Sequence, residues 1–280
     1  TSGGSPVNCI PSALDNVFFD TNSFSAINQS VTLNIGNAIC RNMSWLGSRF
    51  VPTLTGQYGV RIFGSLTFIN QMKYTAQGEI MFKATSTGKT IATANLLLSS
   101  PVSFAGAGGE WILQDSLKST KQVSLIAGTL NANSKVIWAY QFFSDYTSNR
   151  SLILDNSKFR IELGRWIVNG TNMTLSSSGS SIVINGQDSR NSFMFAHAGP
   201  SLTYNIVQFT SLETSFQASN CTFSKLIVDG NFWMLNGGGN KYDSIIVRGW
   251  MEPRMLGFTN DTINTLSTYD IARDRKSTRL

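Results

Sequence analysis

The chain has 280 residues, 41% of them hydrophobic and only 14% charged, with a formal net charge of +6. Charged residues usually make up about a quarter of a globular domain, so long surface helices rich in Glu, Lys and Arg are disfavoured, and the polar share falls to Asn, Ser, Thr and Gly, which suit strands and tight turns. Arg273, Arg275, Lys276 and Arg279 against Asp274 place +3 of the charge in the last eight residues; no basic stripe interleaved with aromatics remains to suggest nucleic-acid binding, and no apolar run approaches the roughly 20 residues of a membrane-spanning helix.

The opening Thr1-Ser2-Gly3-Gly4-Ser5-Pro6 has neither an initiator Met nor a leader peptide and reads as the interior of a longer protein. Cys9 and Cys40 follow in one small N-terminal region. A bridge between them would close a loop of about 30 residues and contribute roughly 3 kcal/mol; the alternative is two buried free thiols. Cys221, within Asn220-Cys221-Thr222-Phe223, makes the count odd and reads as a small core residue. Residues 1–58 form an irregular, cap-like β region around Trp45-Leu46-Gly47-Ser48-Arg49.

From Val60 onwards a short apolar-polar-apolar triplet recurs, each followed by Gly, Asn or Ser. Leu66-Thr67-Phe68, Ile80-Met81-Phe82, Val102-Ser103-Phe104, Val123-Ser124-Leu125, Phe159-Arg160-Ile161 and Ile182-Val183-Ile184 are examples. Such alternation sends every second side chain to one face, which is a strand signal. The centres Met81, Ser103 and Ser124 are about 21 or 22 residues apart, and Ile161 and Val183 repeat the step. One short strand per unit at that period predicts an all-β parallel β-helix (β-solenoid) over 59–272, each coil stacking its triplet on the one below. A β-sandwich is the alternative, since it too has short strands and frequent turns. An aromatic-rich segment interrupts the repeat between Ser124 and Ile153. The tail 273–280 breaks from the pattern; its Asp274-Arg275-Lys276-Ser277-Thr278-Arg279-Leu280 resembles a translated sequencing adaptor and is set aside as non-native.

Several segments resemble very large secreted surface proteins of the Bacteroidetes associated with gliding motility and type IX secretion. The matching stretches are Cys9 to Asp20, Cys40 to Trp45, Ile62 to Phe68, Gly108 to Asp115 and Gly128 to Asn133, covering about the first half of the chain. The resemblance implies an extracellular or outer-surface location, an export signal upstream and a sorting domain downstream. It also implies a structural or adhesive role, and a compartment in which a Cys9–Cys40 disulfide would persist. Asp115-Ser116-Leu117, Asp243-Ser244-Ile245 and Asp261-Thr262-Ile263 are similar to the O-glycosylation sequon of that group, with Ser116, Ser244 and Thr262 as acceptors.

Catalytic and cofactor motifs are weak. His197 is the only histidine and lacks a nucleophile elbow. Thr87-Gly88-Lys89-Thr90 imitates a phosphate loop, but Lys83 stands where the first glycine belongs. Gly106-Ala107-Gly108-Gly109 reads as a turn, because no acidic ribose-binding residue follows it. Three scattered cysteines and one histidine give no zinc spacing. Asp155, Glu162 and Asp188 are the best candidates for a glycosidase-type carboxylate pair. Trp138, Trp166 and Trp233 are candidates for stacking on sugar rings, against the alternative that they fill core.

The sequence therefore predicts a structural or adhesive segment of a cell-surface protein, without catalysis or cofactor, whose partners are surface polysaccharide or other surface proteins rather than nucleic acid or membrane. A carbohydrate-binding module is the first alternative, and a polysaccharide lyase or glycosidase on a β-helix the second.

Overall fold

The computed structural model describes residues 10–36, 38–163, 165–185, 192–196, 202–210, 213–229, 231–234, 237–248 and 258–268. These wind into a parallel β-solenoid of about 10 turns without a helix. The strands pair in parallel throughout, coil on coil, which rules out the antiparallel β-sandwich.

Each central coil has three sides. In one coil these are Ile80–Phe82, Lys89–Ala92 and Leu97–Leu98. In the next, the single strand Val102–Leu113 forms the first two sides and Leu117–Ser119 the third. Side chains alternate across each strand, so one file of every side points inward. The first side stacks Ile80, Val102, Val123, Phe142 and Trp166 in register. The second stacks Trp111, Leu130 and Leu152. The third stacks Leu117, Ile137, Phe159, Ile182, Val207, Leu226 and Ile245. All of these are buried, and together they form one continuous core.

The expected step holds where the triplets are clearest. Met81, Ser103 and Ser124 lie side by side as adjacent rungs. Ile161 and Val183, by contrast, do not align. Val183 sits beside Arg160 on the outside and Ile161 beside Ile184 on the inside, because a register slip of one residue exchanges the faces. The aromatic segment after Ser124 is no interruption either. Phe142 supplies the next core rung, while Phe143 points outward against Tyr146, ring centroids 5.5 Å apart. The corners absorb the unequal lengths, from 18 residues between Glu213 and Asn231 to 28 between Trp166 and Met194. Pairing also runs across residue 58, since Thr53 lies beside Lys73 and Ala38 beside Val60.

Tight corners need left-handed backbone. Asn95, Asn133 and Asn156 supply it at the corners leading into the third side of three coils, Asn being the non-glycine residue that best tolerates that region. Trp111 and Trp166 are fully buried, and the indole nitrogen of Trp111 has no hydrogen-bond partner among the described residues. Burying an indole removes 150–250 Å² from water, worth roughly 4–6 kcal/mol, which exceeds the roughly 1–3 kcal/mol cost of an unpaired donor.

The Cys9–Cys40 bridge is not formed. Cys40 is a free thiol, 1% exposed, because its rung beside Ile62 points it into the core. Cys9 lies outside the described residues, as do Asp188, His197 and the 273–280 tail. Cys221 is a second buried free thiol, as a small core residue should be.

Candidate functional site on the outer sheet faces

The acidic residues singled out by sequence are mostly used in turning the coil. Asp155 accepts hydrogen bonds from Ser176 Oγ at 2.7 Å and from the Ser178 amide at 2.8 Å, which ties its corner to that of the next coil. Asp115 does the same for the previous coil, accepting from the amide and hydroxyl of Thr93, both at 2.9 Å, and from the Ala94 amide at 2.6 Å. Asp261 accepts the Asn240 amide at 2.7 Å, and Asp243 accepts Asn264 Nδ2 at 3.3 Å. The tripeptides at Asp115 and Asp243 thus each turn a corner into a third-side strand, where Leu117 and Ile245 belong to the buried file, whereas Asp261 precedes the strand Thr262–Ile263, which pairs with Lys241–Tyr242. Of the hydroxyls they carry, Ser116 and Ser244 are half-buried and Thr262 is exposed.

Glu162 is placed differently. It lies at the end of the third-side strand Lys158–Ile161 and points outward. Its Oε1 accepts the indole N–H of Trp138 at 2.5 Å and pairs with Arg160 Nη2 at 2.9 Å, while Oε2 accepts Asn185 Nδ2 at 3.1 Å. These residues come from three successive coils, brought together because Trp138 lies beside Arg160 and Arg160 beside Val183. Tyr140, just past the end of the strand Val136–Ala139, is 40% exposed. The fold therefore joins one aromatic candidate to one carboxylate candidate, with Arg160 and Asn185 around them. Trp166 belongs to the core, packed on Phe142 and Phe159 with centroids 4.6 and 5.1 Å apart, and offers no face to a ligand. Trp233 lies in the strand Asn231–Met234, with its side chain outside the described residues.

No family model matches this sequence, and no curated protein or solved structure matches it either. The site's chemistry therefore rests on its geometry alone.

A recess of about 490 Å³ lies at the corner between the first and second sides, lined by Gly108, Gly128, Thr129, Asn149, Ser151 and Thr174 among others. Val102–Leu113 and Gln122–Asn131 pass this corner as bulged strands through glycine, so Gly106-Ala107-Gly108-Gly109 is a bulge inside a strand. The next coils carry the longer connections 145–149 and 169–172. Arg150 pins these loops. It is 3% exposed, and its guanidinium donates to the carbonyls of Ser144, Ser148 (2.9 Å), Asn169 (3.0 Å) and Thr171 (2.6 Å). Burial lowers its pKa, opposed by nearby Asp145, and Arg stays charged under such a shift. The recess is the step between tight and long corners.

Among the described residues no cluster of His, Cys, Asp and Glu is arranged to hold a metal ion, and no helix is long and apolar enough to cross a membrane. The strand Lys89–Ala92 follows Gly88, so the Thr87–Thr90 segment lacks the helix a phosphate loop requires.

Proposed function

We propose that the chain is a stiff adhesive scaffold segment of an extracellular or outer-surface protein, consistent with its resemblance to the large secreted proteins of the Bacteroidetes. The observation that carries this reading is the uninterrupted coil stack. Each added coil extends such a rod by about 4.8 Å, and its three outer faces can vary without disturbing the core. About 10 turns give a rod of roughly 50 Å. The acidic side chains are largely committed to corners, which suits a scaffold better than a cleft for chemistry.

Retention of the labelled chain on polysaccharide-coated and protein-coated beads, with soluble products assayed in parallel, tests the proposal. Saturable retention without polymer cleavage is expected. Release of reducing ends or unsaturated sugars would put the polysaccharide-cleaving reading in its place, and absence of retention on every surface would remove adhesion.

A further inference from the structure

The third side carries an outward file that no part of the coil-forming machinery requires. Lys118 lies beside Trp138, and Trp138 beside Arg160, on three successive coils. At the spacing of parallel strands the two cations bracket the indole at roughly 10 Å from one another. The Trp138 N–H reaches Glu162 on the next coil, so the ring leans along the helix axis, held there by a carboxylate that Arg160 and Asn185 fix in turn. An aromatic side chain locked in this way loses little rotamer freedom when a ligand stacks on it.

The charge around the indole is positive. Lys118 and the exposed Lys158 and Arg160 face a single acid, Glu162, whose oxygens are already engaged. Lys118 and Lys158 have no ion pair among the described residues. Asn185 adds an amide at the edge of the same patch.

We infer that this patch binds an acidic, uronate-bearing polysaccharide laid along the solenoid axis. The flat apolar face of a pyranose ring stacks on the indole, its carboxylates pair with Lys118 and Arg160, and its hydroxyls bond Asn185. Single-stranded nucleic acid shares the anionic and stacking character, but it gains affinity from many phosphate contacts and repeated aromatic platforms. Beyond Arg160 the outward file continues as Val183 and Gln208. The inference rests on the adhesive reading and names its ligand class and place.

Polygalacturonate serves as the probe, compared with its carboxyl-reduced form and with single-stranded DNA in titrations followed by tryptophan emission and calorimetry. Binding of polygalacturonate is expected, weakened at least about tenfold by carboxyl reduction, at least about tenfold by Trp138→Ala and several-fold by Lys118→Gln. It should also weaken as salt rises from about 50 to about 500 mM. Circular dichroism and melting of both variants confirm that each remains folded, and Lys118→Gln leaves the indole network in place. The inference is overturned if the folded chain ignores polygalacturonate, if both variants bind as the parent does, or if DNA binds more tightly. Retention on other surfaces without uronate binding would sink this inference while leaving the adhesive scaffold standing.

Discussion

A methyl group on Gly106 would sit 1.8 Å from the Ala84 carbonyl oxygen of the coil below, and one on Gly109 would sit 2.0 Å from that same atom. Gly128 adds a positive φ of 89° and a hypothetical Cβ 2.4 Å from the Gly106 carbonyl oxygen. These glycines let two coils pass the first corner as continuous strands, because only a residue without a side chain allows that approach. Gly106→Ala should therefore destabilise the chain by more than about 2 kcal/mol, read from urea unfolding. Arg150 is the second residue of this kind. Its fork serves carbonyls on two neighbouring corners, and a lysine cannot reproduce that geometry. Arg150→Lys should cost about 2–4 kcal/mol, little less than Arg150→Met; full stability in the lysine variant would show that charge alone matters there.

At the scale of the strand, direction decides what a tryptophan does. Trp166→Ala opens a cavity among Phe142 and Phe159 and should cost about 3–5 kcal/mol. Trp138→Ala removes an outer-face side chain and should cost under about 1 kcal/mol. Thermal melts of the two variants distinguish these outcomes, and comparable losses would mean that the third-side exterior is a structural layer. The inward rungs also hold the two thiols. Burial pushes the pKa of both Cys40 and Cys221 up to about 11, so neither should react with iodoacetamide at neutral pH until the chain unfolds.

For the molecule as a whole, the buried protonated groups set the behaviour in alkali. Besides the thiols, burial raises Tyr74 to about 12 despite its hydrogen bond with Ser100, and burial also raises Tyr204 and Tyr242. Unfolded thiols titrate near 8.5 and unfolded tyrosines near 10. The fold holds these protons more tightly than the unfolded chain does. Its stability contribution from them is complete below about pH 8.5 and lost as pH rises towards 11 and beyond. The urea midpoint should fall steadily between about pH 9 and 11, with the onset delayed in a Cys40→Ala, Cys221→Ala double variant. Because each coil contacts only its neighbours, hydrogen exchange should be slowest in the central coils, from Ile80 to Ile184, and should accelerate towards the coils at either end of the stack. Uniform protection along the chain would contradict that nearest-neighbour picture.

The chain's composition determined an all-β fold, and the step from Met81 through Ser103 to Ser124 favoured a parallel β-solenoid over a β-sandwich, because stacking in register requires the apolar alternation to recur once per coil; the parallel pairing decided between them. The corner role of the Asp-Ser/Thr-aliphatic tripeptides was not legible, since a carboxylate reaching the corner of a neighbouring coil leaves no local signature. Nor was the free state of Cys40, which depends on its inward direction at a rung beside Ile62. The candidate site was half legible. Trp138 and Glu162 stand out as residue types, and the coil step could have added Lys118 and Arg160 to the file. Unequal corners, from 18 to 28 residues per coil, hide which residue meets which, and a slip of one position exchanges inside for outside. Tertiary structure alone decided that Trp166 fills the core while Trp138 lies outside against Glu162, because direction on a pleated strand is fixed by register with the neighbouring coils and by nothing in the residue itself.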